Sequence, residues 1–227
     1  MINKMAESRP IPKLYYDQAF ALSYYSEILW QKSFVEGNGG NLSIRLDEDL
    51  FMITPSMHSK SGLNETDFVI VDSKGNKIYG SKKASTELFT HLSIYNNNPD
   101  VGGIVHSHPP YTCSYAFSEN VPSTPMSAES VIWMGQLTLA PYNTPGSVEL
   151  LEQVETLSKG KNVLLLQNHG LLTWGKNIEE AYWRTEVVEA HCKISHIMES
   201  RGSLPRHFTY KQMTQLNELK GKFIKNE

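Results

Sequence analysis

Two apolar runs that end in histidine constrain this chain more than any other feature. Val101-Gly-Gly-Ile-Val-His-Ser-His108 and Asn162-Val-Leu-Leu-Leu-Gln167, the latter running on to His169, read as buried strands. Pro109 and Gly170 follow them as turn formers. In an extended chain residues i and i+2 project to the same side, so His106 and His108 face one way, a few ångströms apart. Two imidazoles need that geometry to share one metal ion. With His169 at a second strand end, the donors suit a three-histidine site with an open position. Such a set fits a catalytic Zn²⁺, with Mn²⁺ or Co²⁺ as alternatives.

The remaining pattern predicts one α/β domain over residues 1–227 with a central, largely antiparallel sheet. Apolar residues at helical spacing (Phe20, Leu22, Tyr25, Ile28, Leu29) place a helix over Tyr16–Ser33. Strands are expected at Leu42–Arg45, Phe51–Thr54, Phe68–Val71 and Thr138–Ala140, with a turn between strands at Ser73–Asn76. Further helices fit Ser85–Tyr95, with Ser85 as N-cap, and Ser147–Leu157, Ile178–Ser200 and Tyr210–Ile224. Residues 1–13 form a lead-in, and 201–227 a C-terminal segment placed to cover a site.

Composition narrows the partners. A net charge of −3 without a long Lys or Arg run gives no reason to expect nucleic acid or an anionic membrane surface. No apolar stretch approaches the ~18 residues of a membrane-spanning helix. Two distant cysteines, Cys113 and Cys192, and a start without the apolar core of a signal peptide predict a reduced, cytoplasmic protein.

Glu87 falls in the first turn of the helix expected from Ser85, where the helix dipole stabilises a carboxylate. Ser85 and Thr86 add two hydroxyls at the same helix end, which makes it a candidate anion site. The Gly37-Asn-Gly-Gly-Asn41 turn offers backbone N–H groups and amides to the same anion.

Taken in order, Gly37–Arg45, Ile53-Thr-Pro-Ser56, Ser85-Thr-Glu87, Ile104–His108, Ala140-Pro-Tyr142 and Gln167–Leu171 resemble the motifs of the class II aldolase/adducin family. The resemblance spans about residues 16 to 200. It implies a three-layer α/β/α fold and a homotetramer with active sites at subunit interfaces. It also implies Zn²⁺ on His106, His108 and His169, with Glu87 ligating the metal until substrate binds and then moving protons. A sugar phosphate would be held by Asn38, Gly40, Asn41, Ser56, Ser85 and Thr86. Glu at position 87 favours the aldolase branch, which cleaves a ketose 1-phosphate such as fuculose-1-phosphate to dihydroxyacetone phosphate and an aldehyde. Decarboxylase, dehydratase and ribulose-5-phosphate 4-epimerase activities occupy the same kind of site. Adducin-like scaffolds, which lack the histidines, are the non-catalytic alternative. The chain departs from the family twice. Met57 and His58 follow Ser56 where a glycine is usual, and Thr124–Gly135 lacks the tyrosine that donates a proton to the aldehyde. Tyr210 is the candidate replacement.

Overall fold

The computed structural model describes residues 9–225; the first eight residues of the lead-in and the last two of the C-terminal segment lie outside the described residues. Eight strands are present: β1 (Asn41–Asp47), β2 (Leu50–Ile53), β3 (Val69–Val71), β4 (Lys77–Tyr79), β5 (Gly103–Ser107), β6 (Leu139–Ala140), β7 (Val163–Leu166) and β8 (Gly170–Gly175). They form one sheet in the order β4-β3-β2-β1-β5-β8-β7-β6. Every neighbouring pair is antiparallel except β6 with β7.

Six α-helices cover the sheet: α1 (Tyr16–Gln31), α2 (Leu88–Asn97), α3 (Pro110–Ala116), α4 (Val148–Leu157), α5 (Ile178–Ser200) and α6 (Tyr210–Lys225). Both faces of the strands are apolar, so alternate residues feed different layers. Phe51, Ile53, Val69, Val71, Ile104, Leu164 and Trp174 pack with Leu92 of α2 and Val154 of α4. Met52, Ile70 and Val105 face the other way, onto Leu22 and Leu29 of α1 and Ala181 of α5. A third cluster, with Leu165, Leu171, Ala116 and Val188, fills the space under α3 and α5. These layers are the expected three-layer α/β/α architecture.

Helix starts follow local chemistry where a cap is available. Ser147 and Asn177 accept from the N–H groups of Leu150 and Glu180 at the heads of α4 and α5. Ser85 does not cap α2. Its N–H is bonded to the Thr54 carbonyl, and Ala84 bridges Pro55, so the chain there is still extended. Glu87 occupies the cap position and α2 begins at Leu88, three residues later than expected. Arg45 closes the far end of α2, donating to the carbonyls of Tyr95 and Val101 while stacked on Phe51 and Tyr95.

Three elements escape the sequence pattern. Residues after His169 continue as β8 rather than as a turn, α3 follows Pro109 at once, and Ser130–Met134 makes a π-helical turn. Helix α6 packs on that turn. Arg184 of α5 binds the pieces together: it donates to Glu180 at 2.6 Å, to the Trp174 carbonyl at 2.9 Å and to the Trp133 carbonyl at 3.1 Å. Both members of the ion pair are buried. Removing the cation strands a buried carboxylate, so Arg184→Met should cost about 3–5 kcal/mol. Denaturant unfolding of Arg184→Met beside Glu180→Gln/Arg184→Met checks this, and the double variant should recover part of the loss.

Candidate metal centre and active site

Strand β5 lies between β1 and β8, with Asn41 opposite His106 on one side and Leu172 opposite His106 on the other. This register sets the last residues of β5 beside the β7–β8 turn that carries His169. The ring centroids of His106, His108 and His169 lie 4.6–5.6 Å apart. One ring nitrogen from each falls within 4.8 Å of the others. The Nε2 atoms of His106 and His108 are 3.1 Å apart.

The other ring nitrogens decide which lone pairs converge. His106 Nδ1 is 3.0 Å from the Leu171 carbonyl, which can only accept, so that nitrogen carries the proton and Nε2 is a free lone pair. His108 Nδ1 is 2.8 Å from Glu36 Oε1, and a carboxylate holding the outer nitrogen orients a ligating imidazole in the same way. Burial pushes His106 down to about 3, against the pull of Glu87, so the ring is neutral. Three imidazoles converging in this way suit a divalent cation, the species this donor set fits.

Glu87 adds a carboxylate beside two of these rings. Its Oε2 lies 3.4 Å from His106 Nε2 and its Oε1 lies 3.7 Å from His169 Nε2. Oε2 is buried and has no hydrogen-bond partner among the described residues. Burial opposes ionisation of this carboxyl, but attraction to His106 and His169, each positive once it takes up a proton, outweighs it and holds Glu87 well below the usual carboxylate range.

Beside this cluster, three segments meet: the Gly-rich turn 37–41, the loop 54–60 and residues 83–87. Thr54 bonds Leu42 through both backbone and side chain, and Ser56 N–H donates to the Lys83 carbonyl. Among the expected anion-binding residues, Ser85 is buried, Ser56 half-buried, and Asn38 and Thr86 exposed. Gly40 is buried at φ +69°, and a Cβ there would lie 2.5 Å from Val35 Cγ1, so only glycine fits. The helix end is less open than expected. Glu87 N–H bonds the Ser85 hydroxyl and Leu88 N–H the Ser85 carbonyl, so of residues 85–88 only Thr86 keeps an N–H without a partner among the described residues.

Several residues here carry no sequence signal of their own. His91 is buried on α2; its Nε2 lies 2.6 Å from Asn41 Oδ1 and its Nδ1 2.7 Å from the Ser43 hydroxyl, which meets Tyr95 at 2.8 Å. An amide oxygen only accepts, so His91 donates to Asn41 and leaves the Asn41 NH₂ for the site. Met57, the departure from the usual glycine, holds φ +59° and sets its Sδ 3.2 Å from Asn38 Nδ2. Lys60 is buried against the turn. Tyr210, in contrast, is 90% exposed, at the start of the helix that packs on the π-helical turn. No hydrogen bond joins it to the histidines among the described residues.

Comparison with known proteins agrees with this geometry. The family model for the class II aldolase and adducin N-terminal domain matches residues 21–196. An L-fuculose phosphate aldolase of Methanococcus maripaludis (strain C5) is 34% identical over 77% of this chain and 93% of its own length. A 3-oxo-tetronate 4-phosphate decarboxylase of Haemophilus influenzae is 29% identical over 85% of this chain and 92% of its own. Among solved structures, an L-fuculose 1-phosphate aldolase superposes with a TM-score of 0.83 at 27% identity, covering 92% of this chain and 97% of its own.

Gly170 is where the histidine cluster has least room. A Cβ there would lie 2.5 Å from His108 Cδ2, 2.7 Å from the Ser107 carbonyl oxygen and 3.2 Å from His106 Cε1. Gly170→Ala should therefore displace the His108 ring and lower divalent-ion uptake, with overpacking costing about 1–3 kcal/mol. Elemental analysis and melting temperature of the variant, after loading alongside the wild type, check both effects.

Proposed function

The chain belongs to the class II aldolase and adducin family, and from that premise we propose that it is a metal-dependent aldolase acting on a ketose 1-phosphate such as fuculose-1-phosphate. The observation that carries this reading is the convergence of three imidazole nitrogens, with the Glu87 carboxylate beside His106 and His169. His106, His108 and His169 would hold Zn²⁺, with Glu87 as a further ligand before substrate enters. A divalent ion, when bound, acts as a Lewis acid on the substrate's carbonyl oxygen.

The protein's own groups supply the rest. Cleavage breaks the C3–C4 bond, the C4 hydroxyl loses its proton as the aldehyde forms, and C3 of the three-carbon fragment gains one. Glu87, ionised and partly enclosed, would carry the proton at C3. Asn38, Gly40, Asn41, Ser56, Ser85 and Thr86 would surround the phosphate, fixing the substrate without taking part in bond breaking. Tyr210 is far more exposed than a residue acting in its own chain's site would be. This fits a cytoplasmic homotetramer in which the C-terminal segment serves a neighbouring subunit's site. There Tyr210 would exchange the proton of the aldehyde oxygen.

The 3-oxo-tetronate 4-phosphate decarboxylase relative supports a second reading, decarboxylation of a phosphorylated keto acid. Loss of CO₂ leaves the same negative charge beside a carbonyl, so one site can serve either reaction. Parallel assays of aldehyde release from ketose 1-phosphates and CO₂ release from phosphorylated 3-keto acids separate them.

Glu87→Gln keeps the size of the side chain and leaves three imidazoles in place, but the amide cannot take up a proton. It should retain the metal and the melting temperature while kcat falls by ~10²–10⁴. Near-normal turnover would reduce Glu87 to a helix-capping residue. Loss of ion and activity together would make it chiefly a ligand.

A further inference from the structure

Lys60 is 1% exposed, although it lies in the polar loop Ser56–Gly62, where a lysine ordinarily extends into water. Its Nζ donates to the His58 carbonyl at 2.7 Å and to the Asn38 carbonyl at 3.2 Å. The side chain thus runs from the 54–60 loop to the Gly-rich turn, between two of the segments that border the candidate anion pocket. An ammonium has three N–H groups, so one is left without a partner among the described residues. No carboxylate lies within 4 Å of Nζ among the described residues, and the charge that acts on it is that of Glu87. Burial pushes the amine down to about 8, which leaves it mainly protonated near neutral pH.

A buried cation without a counter-ion is costly, and neutral donors would serve as well to pin two carbonyls. The groups named above for the phosphate (Asn38, Gly40, Asn41, Ser56, Ser85, Thr86) are all uncharged. The position of Lys60 supplies what they lack. We propose that Lys60 is the charge-bearing residue of the anion pocket, using its third N–H and its positive charge to bind the phosphate monoester dianion of the substrate. The inference rests on the reading that these loops receive a phosphate. It makes Lys60 a specificity residue that selects dianionic over neutral substrates. Met57, held at φ +59° against Asn38, closes the same loop from its exposed side.

The test uses full-length, metal-loaded protein and inorganic phosphate as the probe, with dihydroxyacetone as an uncharged comparison ligand, both measured by calorimetry at fixed ionic strength. Lys60→Met keeps the length of the side chain and removes the charge. It should weaken phosphate at least ~10-fold, because charge-assisted hydrogen bonds are the strong ones, and change dihydroxyacetone affinity less than ~3-fold. Unchanged phosphate affinity, or equal loss for both ligands, would overturn the proposal; equal loss would make Lys60 a loop pin. A crystal structure of the wild type with phosphate decides the matter even if Lys60→Met does not fold. Nζ within ~4 Å of a phosphate oxygen is expected, and a phosphate bound elsewhere refutes the assignment. Failure of the wild type to bind phosphate at all would instead remove the anion pocket itself, and this inference with it.

Discussion

The antiparallel pairing of β5 with β8 holds the centre of this molecule. It sets Ser107 opposite Leu171 and His106 opposite Leu172, so the end of one strand lies beside the start of the other. His106 and His108 come from the first strand and the turn beyond it, and His169 from the turn that leads into the second. Gly170 makes the closeness possible, since any side chain there would occupy the space of the His108 ring. A slip of one residue would turn His106 to the other face and scatter the donors. Outer contacts reinforce the arrangement. The Leu171 carbonyl fixes the His106 tautomer, and Glu36 reaches His108 from the far side of the Gly-rich turn.

Much of this was legible in the sequence because it rests on local periodicity. The two-residue spacing of His106 and His108, the apolar run before His169, and the helices over Ser147–Leu157 and Ile178–Ser200 are short-range signals, and the structure follows them. What was not legible depends on distant partners. Helix α3 is short and rich in aromatic and hydroxyl residues. It forms because the Glu189 carboxylate accepts from Tyr111 and Thr112 N–H groups, 77 or 78 residues away in sequence. β8 is buried along its whole length, so Gly-Leu-Leu-Thr-Trp-Gly shows no alternation to read. The head of α2 moved because Ala84 and Ser85 are bound to Pro55 and Thr54, an interaction that outcompetes Ser85 as a cap. Lys60 carries no sequence signal of its own, since only the tertiary approach of Asn38 encloses it.

The site separates two tasks between two kinds of material. In the proposed reaction, charge that appears would be met at the histidine cluster, built on strand ends within the sheet. The unreacting end of the substrate would be met by loops, where Met57 takes the backbone conformation of a glycine and His91 steers Asn41 from within α2. Members of one family can therefore share the first part and diverge in the second. This agrees with the presence of both an aldolase and a decarboxylase among the relatives.

The two outermost strands of the sheet have a consequence of a different kind. β4 spans three residues and β6 only two. An unpaired strand edge is a template on which another chain can add its own backbone, and a run such as Val163-Leu-Leu-Leu166 would be a hazard if it lay there. β6 covers that run with two residues and then leaves the sheet at Pro141, while Lys77 puts a charge on the opposite border. Each margin is thus too short to extend, and the most apolar strands sit inside it. Sheet-to-sheet polymerisation is disfavoured by the length of the borders.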